Sequence, residues 1–126
     1  MSNWIRTPLG NVRGLGSAKE GVGHFITQRV SAIGLVFLVP WFAISAMLVA
    51  PDGYDAVIAW IAAPLNAVLI LLTLGFAIYH MRLGVQVIVE DYIGKAGSKV
   101  FLLILNTFIC VILFAALAFA VLKIAG

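Results

Sequence analysis

Charge is what this sequence has least of. Only 10% of its 126 residues are Asp, Glu, Lys or Arg, while 63% are hydrophobic, a balance that excludes a soluble domain with a charged shell. A single cysteine excludes an intrachain disulfide and a thiolate cluster of the kind that holds an iron–sulfur centre. No glycine-rich nucleotide fingerprint occurs either, which removes a flavin- or nicotinamide-binding domain from consideration. Three stretches, residues 30–51, 56–81 and 100–122, lack acidic and basic side chains altogether, and each meets the roughly 20 residues that a helix needs to cross hydrocarbon. What is present therefore reads as an all-α integral membrane protein. Its three transmembrane helices are expected at about 24–50, 64–93 and 99–124, preceded by an amino-terminal segment, residues 1–23.

The few charges are sorted by topology. Arg6, Arg13, Lys19 and Arg29 precede the first span; Arg82, Lys95 and Lys99 lie between the second and third; the intervening loop holds Asp52 and Asp55 and no cation. The net charge of +3 is thus spread along a membrane topology and forms no single basic patch, so no nucleic-acid partner is expected. By the positive-inside rule the amino terminus is cytoplasmic and the carboxyl terminus periplasmic. Before the first span there is no apolar stretch of signal-peptide type, and no Arg/Ser-rich presequence, so a multi-pass protein of a bacterial inner membrane is expected.

Glycine and proline punctuate the chain. The glycines of residues 10–23 argue against a regular helix before about Gly23. Pro40 predicts a kink within the first span, and "PDGYD" ends it. Pro64 divides the second apolar stretch, so that Tyr54 and Trp60 lie at headgroup depth and the spanning helix starts at the proline. Gly94 suits a helix stop and Ser98 an N-cap for the third span, whose core looks like plain scaffold with Cys110 packed as a small hydrophobe.

The chemistry-bearing residues gather at one end of the second span. Counted at about 100° per residue, His80, Gly84, Val87 and Asp91 share one face of a helix, with the carboxylate about 16 Å beyond the imidazole. An imidazole near the hydrocarbon edge with a cleared surface one turn later suits axial ligation of a haem; a histidine hydrogen-bonded to a neighbouring helix or to interfacial water satisfies the same spacing. Arg82 lies on the opposite face and can snorkel to the phosphate layer or pair with a partner's carboxylate. Arg29 can snorkel likewise, or face an anionic group such as a haem propionate. Glu90 and Asp91 stand where the helix dipole disfavours negative charge. Beside them, Tyr92 offers a phenolic donor at interface depth, suited to a quinone carbonyl.

These residues carry a family resemblance. "HMRLGVQVIVEDY", residues 80–92, is similar to the second-helix signature of the smaller hydrophobic membrane anchor of succinate dehydrogenase (respiratory complex II): a histidine, a glycine four residues on and a terminal Asp-Tyr. "GSAKEGVGHFITQRVSAIGL", residues 16–35, resembles the start of the first helix in alphaproteobacterial members. The resemblance implies one component of an enzyme in which succinate is oxidised elsewhere, by the flavoprotein subunit. The iron–sulfur subunit and the cytochrome b subunit are the other partners. It implies haem b shared with the cytochrome b subunit, with His80 as the iron ligand and Gly84 as clearance. It further implies a ubiquinone site with Tyr92 as donor and Asp91 as supporting acid, Arg29 at the haem propionates or the quinone-site charges, and His24 as a weaker match. A quinol:fumarate reductase anchor shares the architecture, and a non-redox structural or assembly protein is the alternative outside redox chemistry.

Overall fold

The computed structural model describes residues 18–126, with side chains from Val22 onward. The order is α1 (Ala18–Val49), a short 3₁₀ turn (Ala50–Asp52), α2 (Tyr54–Ala62), α3 (Pro64–Tyr92) and α4 (Ala96–Ala125), with no strand among the described residues. Three segments, Val22–Asp52, Pro64–Tyr92 and Ala96–Ala125, are long and apolar enough to cross a membrane. In lipid every backbone polar group needs an internal partner, which is why such sequences fold as continuous helices.

Several boundaries differ from the sequence reading. Helix α1 starts at Ala18, with Gly21 and Gly23 inside it. Each glycine costs about 1 kcal/mol relative to alanine, but propagation from the adjoining apolar helix adds a hydrogen bond for every residue fixed. Thr27 Oγ1 donates back to the carbonyls of Gly23 and His24 at 3.0 and 3.1 Å, tightening that turn. Of the amino-terminal segment expected at residues 1–23, residues 1–17 fall outside the described residues. At the other loop, α4 begins at Ala96 and takes Lys95 as its N-cap, without a side-chain cap bond, so Ser98 lies within the first turn. The Lys95 carbonyl already accepts from the Lys99 amide at 2.9 Å, which starts the helix before Ser98 can cap it. Helix α3 leaves through Ile93 in an extended conformation (φ −97°, ψ 107°). Gly94 follows without the positive φ of a left-handed stop, since Gly53 at +96° is the positive-φ residue of the described chain.

Proline acts as the sequence suggests at Pro64. Ala63 is extended (φ −60°, ψ 128°) and Pro64 opens α3, the conformation that a residue before proline prefers. Trp60, however, is not simply an interfacial ring: it packs against Trp41 and Phe42, with ring centroids 6.0 and 5.8 Å apart.

Contacts between Cα atoms divide the chain within α1 into Met1–Val30 and Ser31–Gly126, and the helix–helix contacts around Trp60 and His80 lie in the second unit. There α1 and α3 run antiparallel: Ser31 faces His80, and Gly34 faces Phe76. A Cβ on Gly34 would lie 3.3 Å from the Phe76 ring, so the absent side chain is what lets these helices approach. Helices α3 and α4 are antiparallel too, with Arg82 facing Thr107 and Gly75 facing the Phe114 ring. The small apolar core, Ala67, Ile70 and Val121 with Trp41, Trp60, Ile61, Leu71 and Leu74 around it, lies toward the amino end of α3. The His80 end adds polar contacts between the helices.

Candidate functional site

His80 is half-buried on α3, and its Nδ1 lies 3.1 Å from Ser31 Oγ of α1. Ser31 is 1% exposed. One turn further, a Cβ built on Gly84 meets nothing within 4 Å. The α3 surface beside the imidazole is therefore open along the stripe, whereas one turn earlier it is filled by Phe76 against Gly34. The ring thus has one nitrogen engaged within the chain, and the helix surface beyond it is clear.

Beyond Gly84 the stripe reaches the end of α3. Asp91 and Tyr92 are exposed, Tyr92 at 82%. Glu90 accepts from Gln86 Nε2 at 3.0 Å, one turn back on the same helix; this donor offsets part of the unfavourable dipole end noted from the sequence. His24 and Arg29 lie in the first unit, both exposed, with the Arg29 guanidinium 4.9 Å from the Phe25 ring centroid, a cation–π contact.

Three features escaped the sequence reading. Ser31 was not singled out, although a serine within an apolar helix is a ready partner for an imidazole on a neighbouring span. Arg82 does not simply snorkel: its Nε donates to Thr107 Oγ1 at 3.4 Å, and its carbonyl accepts from Asn106 Nδ2 at 3.0 Å. Asn106 Oδ1 in turn accepts from buried Cys110 Sγ at 3.6 Å. Helix α4 is therefore more than plain scaffold, and the signal was available in Asn106-Thr107, the polar pair in its apolar run. Beside this network an open groove of about 450 Å³ is lined by Gly75, Ile78, Tyr79, Arg82, Thr107 and Phe114 among others. His80 lies outside it.

Residues 4–121 match the succinate dehydrogenase/fumarate reductase transmembrane subunit family. The chain belongs to that family. Among its relatives is the succinate dehydrogenase hydrophobic membrane anchor subunit of Rickettsia conorii, 30% identical over 106 residues, 83% of this chain and 84% of the relative. The protein of the same description from Rickettsia bellii is 31% identical over 90 residues, 71% and 72% of the two chains. No solved structure matches. Family membership and three span-length helices together make this a multi-pass membrane anchor subunit.

Proposed function

We propose that this chain is the anchor of a succinate:ubiquinone oxidoreductase in a bacterial inner membrane, docking flavoprotein and iron–sulfur subunits on the cytoplasmic face. In this reading it binds haem b jointly with the cytochrome b subunit and contributes to the ubiquinone site. The observation that carries the proposal is the α3 stripe: a half-buried His80, a surface left open at Gly84 and an exposed Asp91–Tyr92 pair at the helix end. A flat macrocycle held through one axial imidazole needs that clear surface, so the residues fit the group. When bound, haem supplies one-electron redox chemistry. His80 would hold its iron through Nε2, and Gly84 would leave room for the ring edge. Arg29, with its forked donors, suits propionate or quinone-site charge, and His24 is the weaker candidate for the same surface.

At the quinone, Tyr92 would donate its O–H to a carbonyl oxygen and so favour the electron-rich reduced ring, while Asp91 supports proton delivery from the aqueous side. Both side chains face away from this chain's own packing, as residues of a site completed by other subunits should. The names of the relatives favour succinate oxidation over fumarate reduction as the complex's activity.

Purification through a tag on this chain in mild detergent tests the reading. Flavin, an iron–sulfur protein and b-type haem absorbance are expected to accompany it, and their absence would overturn the assignment. In the same complex His80→Ala is expected to abolish or displace the haem spectrum; an unchanged spectrum would place the ligand elsewhere.

A further inference from the structure

We infer that Ser31 is the positioning residue of His80: its Oγ accepts the imidazole Nδ1–H and so fixes the tautomer and ring plane in which Nε2 is free to bind iron. The inference rests on the proposed haem ligation and deepens it. Two arrangements satisfy the 3.1 Å contact. If the serine hydroxyl donated to Nδ1, the ring proton would sit on Nε2 and leave no lone pair for a metal. If Nδ1–H donates to Oγ, the Nε2 lone pair is available, and only this second arrangement is compatible with ligation.

The surroundings make Ser31 suitable for this. It is 1% exposed, so water does not compete for the hydroxyl oxygen, and a hydrogen bond to it is retained more strongly than at a wet surface. It sits one turn from Gly34, whose Cβ position lies 3.3 Å from the Phe76 ring of α3, so the stretch of α1 carrying the hydroxyl packs against the helix that carries the imidazole. Ligating histidines commonly donate their second N–H to a protein acceptor, which raises ligand basicity and orients the ring. Here that acceptor comes from the same chain, on the preceding span. Hence the ligand is oriented before any other subunit supplies its half of the site.

Greater basicity at Nε2 stabilises the oxidised iron more than the reduced iron. Removing the acceptor therefore raises the haem midpoint potential. The test is Ser31→Ala, Ser31→Cys and Ser31→Thr in the whole complex, each examined by redox titration of the haem band and by low-temperature electron paramagnetic resonance of the oxidised haem. For Ser31→Ala the reduced-to-oxidised ratio at fixed poise is expected to rise about threefold, roughly 28 mV for a one-electron couple at 59 mV per tenfold, with an altered low-spin signal from a less constrained ring.

Ser31→Cys, close in size but a weaker acceptor, should shift the potential in the same direction by less, and it reads the effect if the alanine variant does not assemble. Ser31→Thr retains the hydroxyl and is expected to restore the wild-type potential. Haem-loaded alanine or cysteine variants with wild-type potential and signal would overturn the inference. His80→Ala distinguishes the two levels: an unchanged spectrum there sinks the ligation itself, whereas loss of haem there with silent Ser31 variants sinks only the positioning role.

Discussion

Tyr92 is 82% exposed, at the end of a helix long and apolar enough to cross a membrane. A phenol so placed makes little contribution to folding, so its replacement should separate function from stability. In the assembled complex Tyr92→Phe is expected to lower succinate-to-ubiquinone electron transfer about tenfold, the cost of one lost hydrogen bond that strengthens as the quinone is reduced. Succinate oxidation with an artificial acceptor should persist at the wild-type rate. Equal retention of both activities would remove Tyr92 from the quinone site. At this scale the sequence was informative where spacing alone sufficed: His80, Gly84 and Asp91 share a face because a helix has a fixed period, and α3 is a single helix from Pro64 to Tyr92. It was silent on Ser31 because a contact with His80 depends on the register between two helices separated by a turn and α2, which no local pattern encodes.

Between elements the packing is of two kinds, and they answer to different substitutions. Toward the amino end of α3 the chain is held by Trp41, Trp60 and the small core around Ile70. Toward His80 it is held by close approach at Gly34 and by the Arg82–Asn106–Thr107 hydrogen bonds. Gly34→Leu would drive a branched side chain into the Phe76 ring, whose nearest atoms already stand 3.3 Å from the Cβ position. Overpacking of this kind costs about 1–3 kcal/mol. A lower thermal midpoint of the purified complex is expected, together with a disturbed haem spectrum, because the displaced α1 carries Ser31.

Asn106→Leu removes the donor to the Arg82 carbonyl and the acceptor of Cys110. Interhelical hydrogen bonds in membranes average about 0.6 kcal/mol, so a smaller loss of thermal stability is expected, with the haem spectrum unchanged. If Asn106→Leu perturbed the haem as much as Gly34→Leu does, the two contacts at the His80 end, α1 against α3 and α4 against α3, would not act independently. Neither this pairing nor the helix boundaries were fully legible. Glycine-rich residues 18–23 and the loop before α4 both became helical because propagation from a long apolar helix outweighs weak local signals.

For the whole molecule, large apolar side chains face outward on every span. Phe37, Met47, Leu65, Phe101 and Phe119 are each more than 60% exposed, as lipid or a neighbouring protein requires. The proposed placement of the termini rests on charge: the positive-inside rule puts the loop bearing Lys95 and Lys99 on the cytoplasmic side and Lys123, near the carboxyl end, on the other. Cysteine labelling in intact cells tests this. Cys110 is 3% exposed and is first replaced by alanine, leaving a background without thiols in this chain. Lys123→Cys is then expected to react with a membrane-impermeant maleimide once the outer membrane is opened, while Ser98→Cys should react only after the inner membrane is also broken. Ser98 is exposed in the first turn of α4, so failure to label there in intact cells would reflect sidedness and not burial. The opposite pattern would invert the topology and move Asp91 and Tyr92 to the periplasmic surface. The proposed quinone site, fed by subunits docked on the cytoplasmic face, could not then use them.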